Sequence, residues 1–235
     1  MKSSNKTIGI LLLTGAIALL IPYTMLTIVF EYPDILRQDT GIILTKFYQG
    51  GNSLIWTWFA FAITGIPLLP AYILIGQKFE NKSPLVPMAT TIGVIGLIVQ
   101  MIGLLRWTFV VPVLADTFVH ATGEATKAAA IVSFKTIHQF GGVILGEHLG
   151  QLFTIAWTVM MTISFAKLKL IPKWVNGLGI ISAVIYLLAQ AELFATVIKG
   201  FPVWDMAGFI GSTLWLVWLI VIGVLFLKKK ENLIG

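Results

Sequence analysis

Three neighbouring polar residues interrupt an apolar run in the middle of the sequence. The run extends from Gly141 to Ala166, which is long enough to cross a bilayer. Within it, Glu147, His148 and Gln151 place a carboxylate, an imidazole and an amide within one or two helical turns. Ionisable groups are costly inside a membrane, so where they occur they mark either a functional site or polar contacts between helices. These residues are therefore the first candidates for ligand binding, proton transfer or metal ligation.

Two other apolar segments carry Arg106, Gln190 and Glu192. If Arg106 pairs with Glu147 or with Glu192, the other carboxylate needs a proton, a protonated imidazole or a ligand to neutralise it. We therefore expect a small polar pocket that binds a small anionic or amphiphilic ligand. Its predicted ligand-binding residues are Arg106, Glu147, His148, Gln151, Gln190 and Glu192.

A metal-dependent or acid–base-dependent membrane enzyme is the first alternative, with His138, His148 and Glu192 as metal ligands. Neutral imidazole and carboxylate suit zinc or iron. However, Glu147 and His148 are adjacent and would project about 100° apart on an α-helix, and the sequence has no His-x-x-x-His or Glu-x-x-His spacing. No nucleotide-binding or nucleophile motif indicates a reaction class, so enzyme activity, catalytic residues and cofactor stay open.

The second alternative is a structural or accessory protein in which the same polar groups only hold helices together. Buried Arg–Glu pairs and glutamine hydrogen bonds are known to connect membrane helices. The sequence alone does not choose between a binding pocket and this polar clasp.

The composition is that of an integral membrane protein. Of 235 residues, 57% are hydrophobic and 11% are charged, whereas about a quarter of the residues in a soluble domain are charged. The net charge of +6 lies largely at the ends of apolar segments, where membrane lipid accounts for it without a nucleic-acid partner. The absence of cysteine from the sequence excludes disulfides and thiolate chemistry.

The apolar segments predict an all-α fold, a single transmembrane domain over residues 1–235 formed by a bundle of six helices. Between spans three and four, apolar residues recur at helical spacing among Lys127, Lys135 and His138, which predicts an amphipathic surface helix over 124–139. Gly141 and Gly142 are expected to break this helix from span four. The six predicted spans are 8–30, 53–76, 86–113, 142–166, 175–198 and 206–227.

The distribution of basic residues predicts the orientation of these spans. The two ends of the chain, with the second and fourth connections, carry ten Lys and Arg residues, Lys2, Lys229 and Lys230 among them; the other three connections carry five. By the positive-inside rule, both termini should be cytoplasmic and the protein should lie in the cytoplasmic membrane. The candidate polar residues would then lie in the outer half of the bilayer.

Three stretches of the sequence resemble one protein family. They are the segment from Phe140 to Gln151, the triplet Gln190-Ala191-Glu192 and the turn from Gly200 to Asp205. Together with the six spans, they resemble a prokaryotic membrane family known as domain of unknown function 4386. The resemblance implies a six-helix membrane protein, and it implies no activity and no catalytic residues.

Overall fold

The computed structural model describes residues 5–228, and over this range the chain is helical without any strand. A 3₁₀-helix spans Asp34–Arg37, and a π-helix spans His138–Leu149. The α-helices are α1 (Asn5–Ala18), α2 (Leu20–Phe30), α3 (Thr40–Ile63), α4 (Leu68–Phe79), α5 (Leu85–Phe109), α6 (Val111–Val119), α7 (Glu124–Ile137), α8 (Gly150–Lys167), α9 (Lys173–Leu188), α10 (Gln190–Ala195) and α11 (Ala207–Lys228).

Six helical segments are long and apolar enough to cross a membrane, which confirms the predicted all-α, six-span membrane fold. Crossing the hydrocarbon core takes about 20 residues, so the second, third and fourth segments, with 40, 35 and 44 residues, are longer than a single crossing requires. The segments are Asn5–Phe30, Thr40–Phe79, Leu85–Val119, Glu124–Lys167, Lys173–Ala195 and Ala207–Lys228. Lys2, Lys229 and Lys230, which contribute to the predicted orientation, lie outside the described residues.

A helical segment precedes the predicted start of the second span. Helix α3 begins at Thr40, but Gly51 has the non-helical angles φ 53° and ψ −152°, so two helices meet there across a kink and the later one begins close to the predicted residue 53. The earlier residues hold a helix because Ile43, Leu44 and Phe47 recur at helical spacing and are buried. Gly51 therefore separates two helices, and the first of them lies in a segment that the sequence assigned to a connection.

The predicted break at Gly141 and Gly142 is wrong. Helix α7 covers most of the predicted surface helix and continues without interruption through the π-helix into α8. Glycine raises the conformational entropy of the unfolded chain but does not forbid helical geometry. At this position, packing against another helix compensates for the low helix propensity, as the contacts of Gly103 show below.

The chain divides into two compact units. Among the described residues, the first unit contains 5–17, Gly65–Ile98 and 148–228. Its core is built on aromatic rings: Tyr72 stacks on Trp157 with centroids 3.7 Å apart, and Trp157 meets Trp218 edge-on at 5.6 Å. Gly93 lies against this stack, and a Cβ there would be 2.8 Å from the ring of Tyr72.

The second unit contains Ala18–Thr64 and Val99–Glu147. Its core is also aromatic: Trp107 stacks on Trp58 at 4.6 Å and on Phe47 at 5.7 Å. The ring of Phe30 meets Trp107 edge-on at 5.5 Å. Aromatic pairs of this kind add about 0.5–1.5 kcal/mol each beyond the burial of their surface, so Trp107 anchors α5 to the elements around it.

Helix α5 and the π-helix approach each other closely at Gly103, within the second unit. A Cβ on Gly103 would lie 2.5 Å from the carbonyl oxygen of Gly141 and 2.7 Å from the Cα of Gly146. Both atoms belong to the backbone and cannot move aside without moving the π-helix. Small residues at such a crossing allow membrane helices to pack backbone against backbone.

Replacing Gly103 with alanine should therefore destabilise the protein, by about 1–3 kcal/mol as for other overpacked sites. We expect a lower midpoint of thermal unfolding in detergent, measured by circular dichroism. Gly177→Ala is the matched control, because nothing lies within 4 Å of a Cβ at that exposed helical position; it should stabilise the protein by about 0.5–1 kcal/mol. Equal midpoints for the two variants would contradict the close approach.

Candidate functional site

Arg106 is the buried cation of the second unit. Its side chain is 8% exposed, and its Nη1 donates a hydrogen bond to the carbonyl oxygen of Gly103, one turn earlier on α5. Its Nη2 lies 3.5 Å from the Nδ1 of His138, the first residue of the π-helix. The guanidinium also lies 5.2 Å from the ring centroid of Trp107. The Nε atom is fully buried and has no hydrogen-bond partner among residues 5–228.

The π-helix makes room for this side chain at Gly142. A Cβ on Gly142 would lie 2.5 Å from the Nη2 of Arg106 and 2.8 Å from its Cζ, so no other residue fits beneath the guanidinium without displacing it. Glu147, near the end of the same π-helix, attracts Arg106 electrostatically. Of the two glutamates that the sequence offered as partners, Glu147 thus shares a unit with Arg106.

The first unit contains a separate set of polar contacts. The Nε2 of Gln190 donates to the Oε1 of Gln151 at 2.7 Å, and the Oε1 of Gln190 lies 2.7 Å from the Nδ1 of His148. Since that oxygen can only accept, Nδ1 of His148 carries the proton. Gln190, the first residue of α10, is 6% exposed. These hydrogen bonds join the end of the π-helix, α8 and α10, as expected for polar contacts that connect membrane helices.

The six predicted ligand-binding residues thus fall into two sets. His148, Gln151 and Gln190 are hydrogen-bonded in the first unit, and Arg106 and Glu147 attract each other in the second. Glu192 is half-buried on α10 of the first unit.

The predicted metal ligands do not form a metal site among the described residues. Across residues 5–228, no three His, Asp or Glu side chains are grouped so that they could hold a metal ion. His138 instead contacts a guanidinium, and His148 an amide. The ligand set His138, His148 and Glu192 stays a prediction.

The second unit has a cavity that the sequence did not indicate. It has a volume of about 630 Å³ and lies between the segment around Thr40, at the start of α3, and the junction of α7 with the π-helix. Lys135 is its charged lining residue, and no carboxylate belongs to the described residues that line it. The lining residues are Leu36, Gln38, Thr40, Ile43, Phe134, Lys135, Thr136, His138, Gln139, Phe140 and Ile144.

One sequence signal could have drawn attention to Lys135. The residues three and four positions away on either side include no carboxylate, whereas Lys127 of the same helix pairs with Glu124 at 3.3 Å. A helical lysine without such a neighbour is available for another anion. The rest of the cavity is formed by residues far apart in the sequence, so no local pattern predicts it.

Comparison with known proteins gives the family. The sequence model of a family described as domain of unknown function 4386 matches residues 7–223. The chain belongs to this family. The match covers nearly all of the chain, including both sets of polar residues and the cavity. No curated protein and no solved structure matches it, so in this member of the domain of unknown function 4386 family the argument for function rests on the side chains themselves.

The attraction between Arg106 and Glu147 can be tested with a double-mutant cycle. Arg106→Met should cost about 3–5 kcal/mol, because it leaves a carboxylate without its buried cation. Adding Glu147→Gln should recover part of this loss, giving a coupling free energy of about 1 kcal/mol or more. The midpoints of thermal unfolding of the four proteins in detergent measure it. If the two single effects simply add, the two side chains are not energetically coupled.

The hydrogen bonds of Gln190 predict a second stability effect. Gln190→Leu leaves the Nδ1–H of His148 and the Oε1 of Gln151 without their partner, which should cost about 1–3 kcal/mol. Gln77→Leu, at an exposed position of α4, is the control and should change stability by less than about 0.5 kcal/mol. Unfolding followed by tryptophan fluorescence compares them, and a harmless Gln190→Leu would show that these bonds do not hold the helices.

Proposed function

We propose that this protein binds a small anionic amphiphile in the cavity of the second unit. The observation that carries the proposal is the unbalanced cation, because Lys135 lines the cavity and no carboxylate among the described residues there neutralises it. No ion pair of Lys135 occurs within residues 5–228. An anion would supply the missing charge.

The size and lining of the cavity favour an amphiphile over a simple ion. Pockets for small organic ligands measure about 300–1,000 Å³, and this cavity measures about 630 Å³. Polar and apolar side chains contribute to the lining in similar numbers. An inorganic anion would not cover the exposed apolar side chains of Phe140 and Ile144, and a neutral hydrocarbon would give the ammonium of Lys135 no counter-charge.

The start of α3 supports an anionic headgroup as well. Thr40 is the first residue of α3 and one of the residues that line the cavity. The amino end of an α-helix has a partial positive charge and free N–H groups. Asp39, the N-cap residue of α3, carries a carboxylate that offsets part of this potential, so Lys135 is the main positive charge at the cavity.

We place this site at the outer face of the cytoplasmic membrane, with both chain ends inside. The support is the excess of Lys and Arg in the connections assigned to the inside. The cavity residues belong to the first and third connections or to the adjoining helix ends, which that orientation assigns to the outside.

The accessory alternative also has support. Arg106 and Glu147 in one unit, and His148, Gln151 and Gln190 in the other, have partners within the protein, so these groups serve packing in our proposal. We assign ligand binding instead to Lys135 and the other residues that line the cavity.

Lauric acid is a suitable probe, because it combines a carboxylate with a short alkyl chain. We expect the protein, purified in a neutral detergent, to bind laurate more tightly than dodecanol or dodecylamine in native mass spectrometry and calorimetry. Lys135→Ala should weaken laurate binding about tenfold, as expected for the loss of one charge-assisted hydrogen bond.

Lys127→Ala is the matched control, since Lys127 lies on the same helix but pairs with Glu124 at 3.3 Å and does not line the cavity. Its laurate affinity should equal that of the unmodified protein. If both variants lost laurate affinity equally, the effect of Lys135→Ala would reflect only the general surface charge. Equal binding of laurate, dodecanol and dodecylamine would overturn the proposal.

A further inference from the structure

We propose that His138 serves this cavity as a neutral hydrogen-bond donor, with its Nε2–H directed to an anionic oxygen of the ligand and with Arg106 fixing the tautomer. This inference rests on the proposed function and names the group that selects the ligand. It predicts a ligand headgroup that accepts hydrogen bonds, a carboxylate or a phosphate, and it disfavours an ammonium.

The tautomer follows from the contact between the two side chains. A guanidinium has five N–H donors and no acceptor, so the Nη2 of Arg106 can only donate to the Nδ1 of His138, 3.5 Å away. Nδ1 must then hold a lone pair, and the single proton of the neutral ring lies on Nε2. An imidazolium would instead direct a second N–H at the guanidinium and place two cations in contact.

The surrounding side chains hold the imidazole in this orientation. Its ring stacks on Phe134 with centroids 5.4 Å apart and an angle of 15° between the planes, and Trp107 meets it at 6.1 Å. Arg106 is itself fixed, because it donates to the carbonyl of Gly103 and lies against Gly142. Rotating the imidazole by 180° about its Cβ–Cγ bond would keep the stacking but would place Cδ2 instead of Nδ1 opposite Arg106 and lose that contact.

The opposite edge of the ring is available to a ligand. Nε2 has no hydrogen-bond partner within residues 5–228, yet it is not among the fully buried polar atoms that lack one. The ring lines the cavity together with Lys135, three residues earlier. Residues three apart on a helix share a face, so the ammonium and the Nε2–H would approach one headgroup from the same side.

Nuclear magnetic resonance of the full-length protein with ¹⁵N-labelled histidine, in detergent, tests the tautomer directly. The sequence has three histidines, and the signals of His138 are assigned by their loss in His138→Gln. We expect His138 to carry its proton on Nε2. His148 is an internal reference for a protonated Nδ1, since its Nδ1 donates to Gln190. A proton on Nδ1 of His138, or an imidazolium at neutral pH, would overturn the inference whatever the protein binds.

A variant of Arg106 tests its positioning role by the same signal. The amide of glutamine can present either a donor or an acceptor to the imidazole, so Arg106→Gln should show both tautomers of His138. A tautomer unchanged from that of the unmodified protein would show that Arg106 does not fix it. Because this readout is the protonation pattern of one ring, a general loss of stability does not imitate it.

Two substitutions of His138 separate the donor from the ring. The amide nitrogen of glutamine reaches roughly the position of Nε2, whereas the shorter asparagine places its amide near Nδ1. Laurate affinity should stay within about threefold in His138→Gln and fall about tenfold in His138→Asn. Equal affinities of His138→Asn and the unmodified protein would overturn the inference and leave the proposed function standing. If the unmodified protein does not bind laurate, the proposed function falls, and with it the ligand assigned to this donor.

Discussion

The burial of one guanidinium constrains the second unit more than any other interaction. Moving a cation out of water costs several kcal/mol unless polar groups and an opposite charge surround it. Arg106 has the carbonyl of Gly103 on its own helix, the Nδ1 of His138 and the attraction of Glu147. Two of these three groups belong to the π-helix, so the geometry of that helix and the stabilisation of the charge depend on each other.

The π-helix contains residues of both polar sets, Glu147 and His148. Twelve residues, His138–Leu149, form this helix, whose i→i+5 hydrogen bonds widen each turn. Glu147 attracts Arg106, whereas Gln151, two residues after the π-helix, bonds to Gln190. Such helices are rare and often lie at functional sites, but no local pattern in this sequence predicts one.

The features that hydrophobicity alone determines were predictable, and those that depend on tertiary contacts were not. Six apolar segments follow from the exclusion of water from hydrocarbon. The ends of the helices do not follow from the same rule, because outside the hydrocarbon a polar stretch such as the start of α3 can also be helical. The candidate polar residues were found because charge inside a span is conspicuous. The contact between His138 and Arg106 could not be predicted from the sequence, nor could the cavity beside the exposed Lys135. Both bring together segments that are distant in the sequence.

The two sets of polar residues differ in whether their hydrogen-bond donors already have partners in the protein. For this reason we assign ligand binding to only one of the two units. In the first unit, His148, Gln190 and Gln151 form consecutive hydrogen bonds of 2.7 Å, and a ligand would have to replace bonds that already exist. In the second unit, the ammonium of Lys135 and the Nε2 of His138 have no partner within the described residues, and both side chains line one cavity. A ligand there would replace hydrogen bonds that these donors make with water and would break none within the protein, so binding is favoured in the second unit.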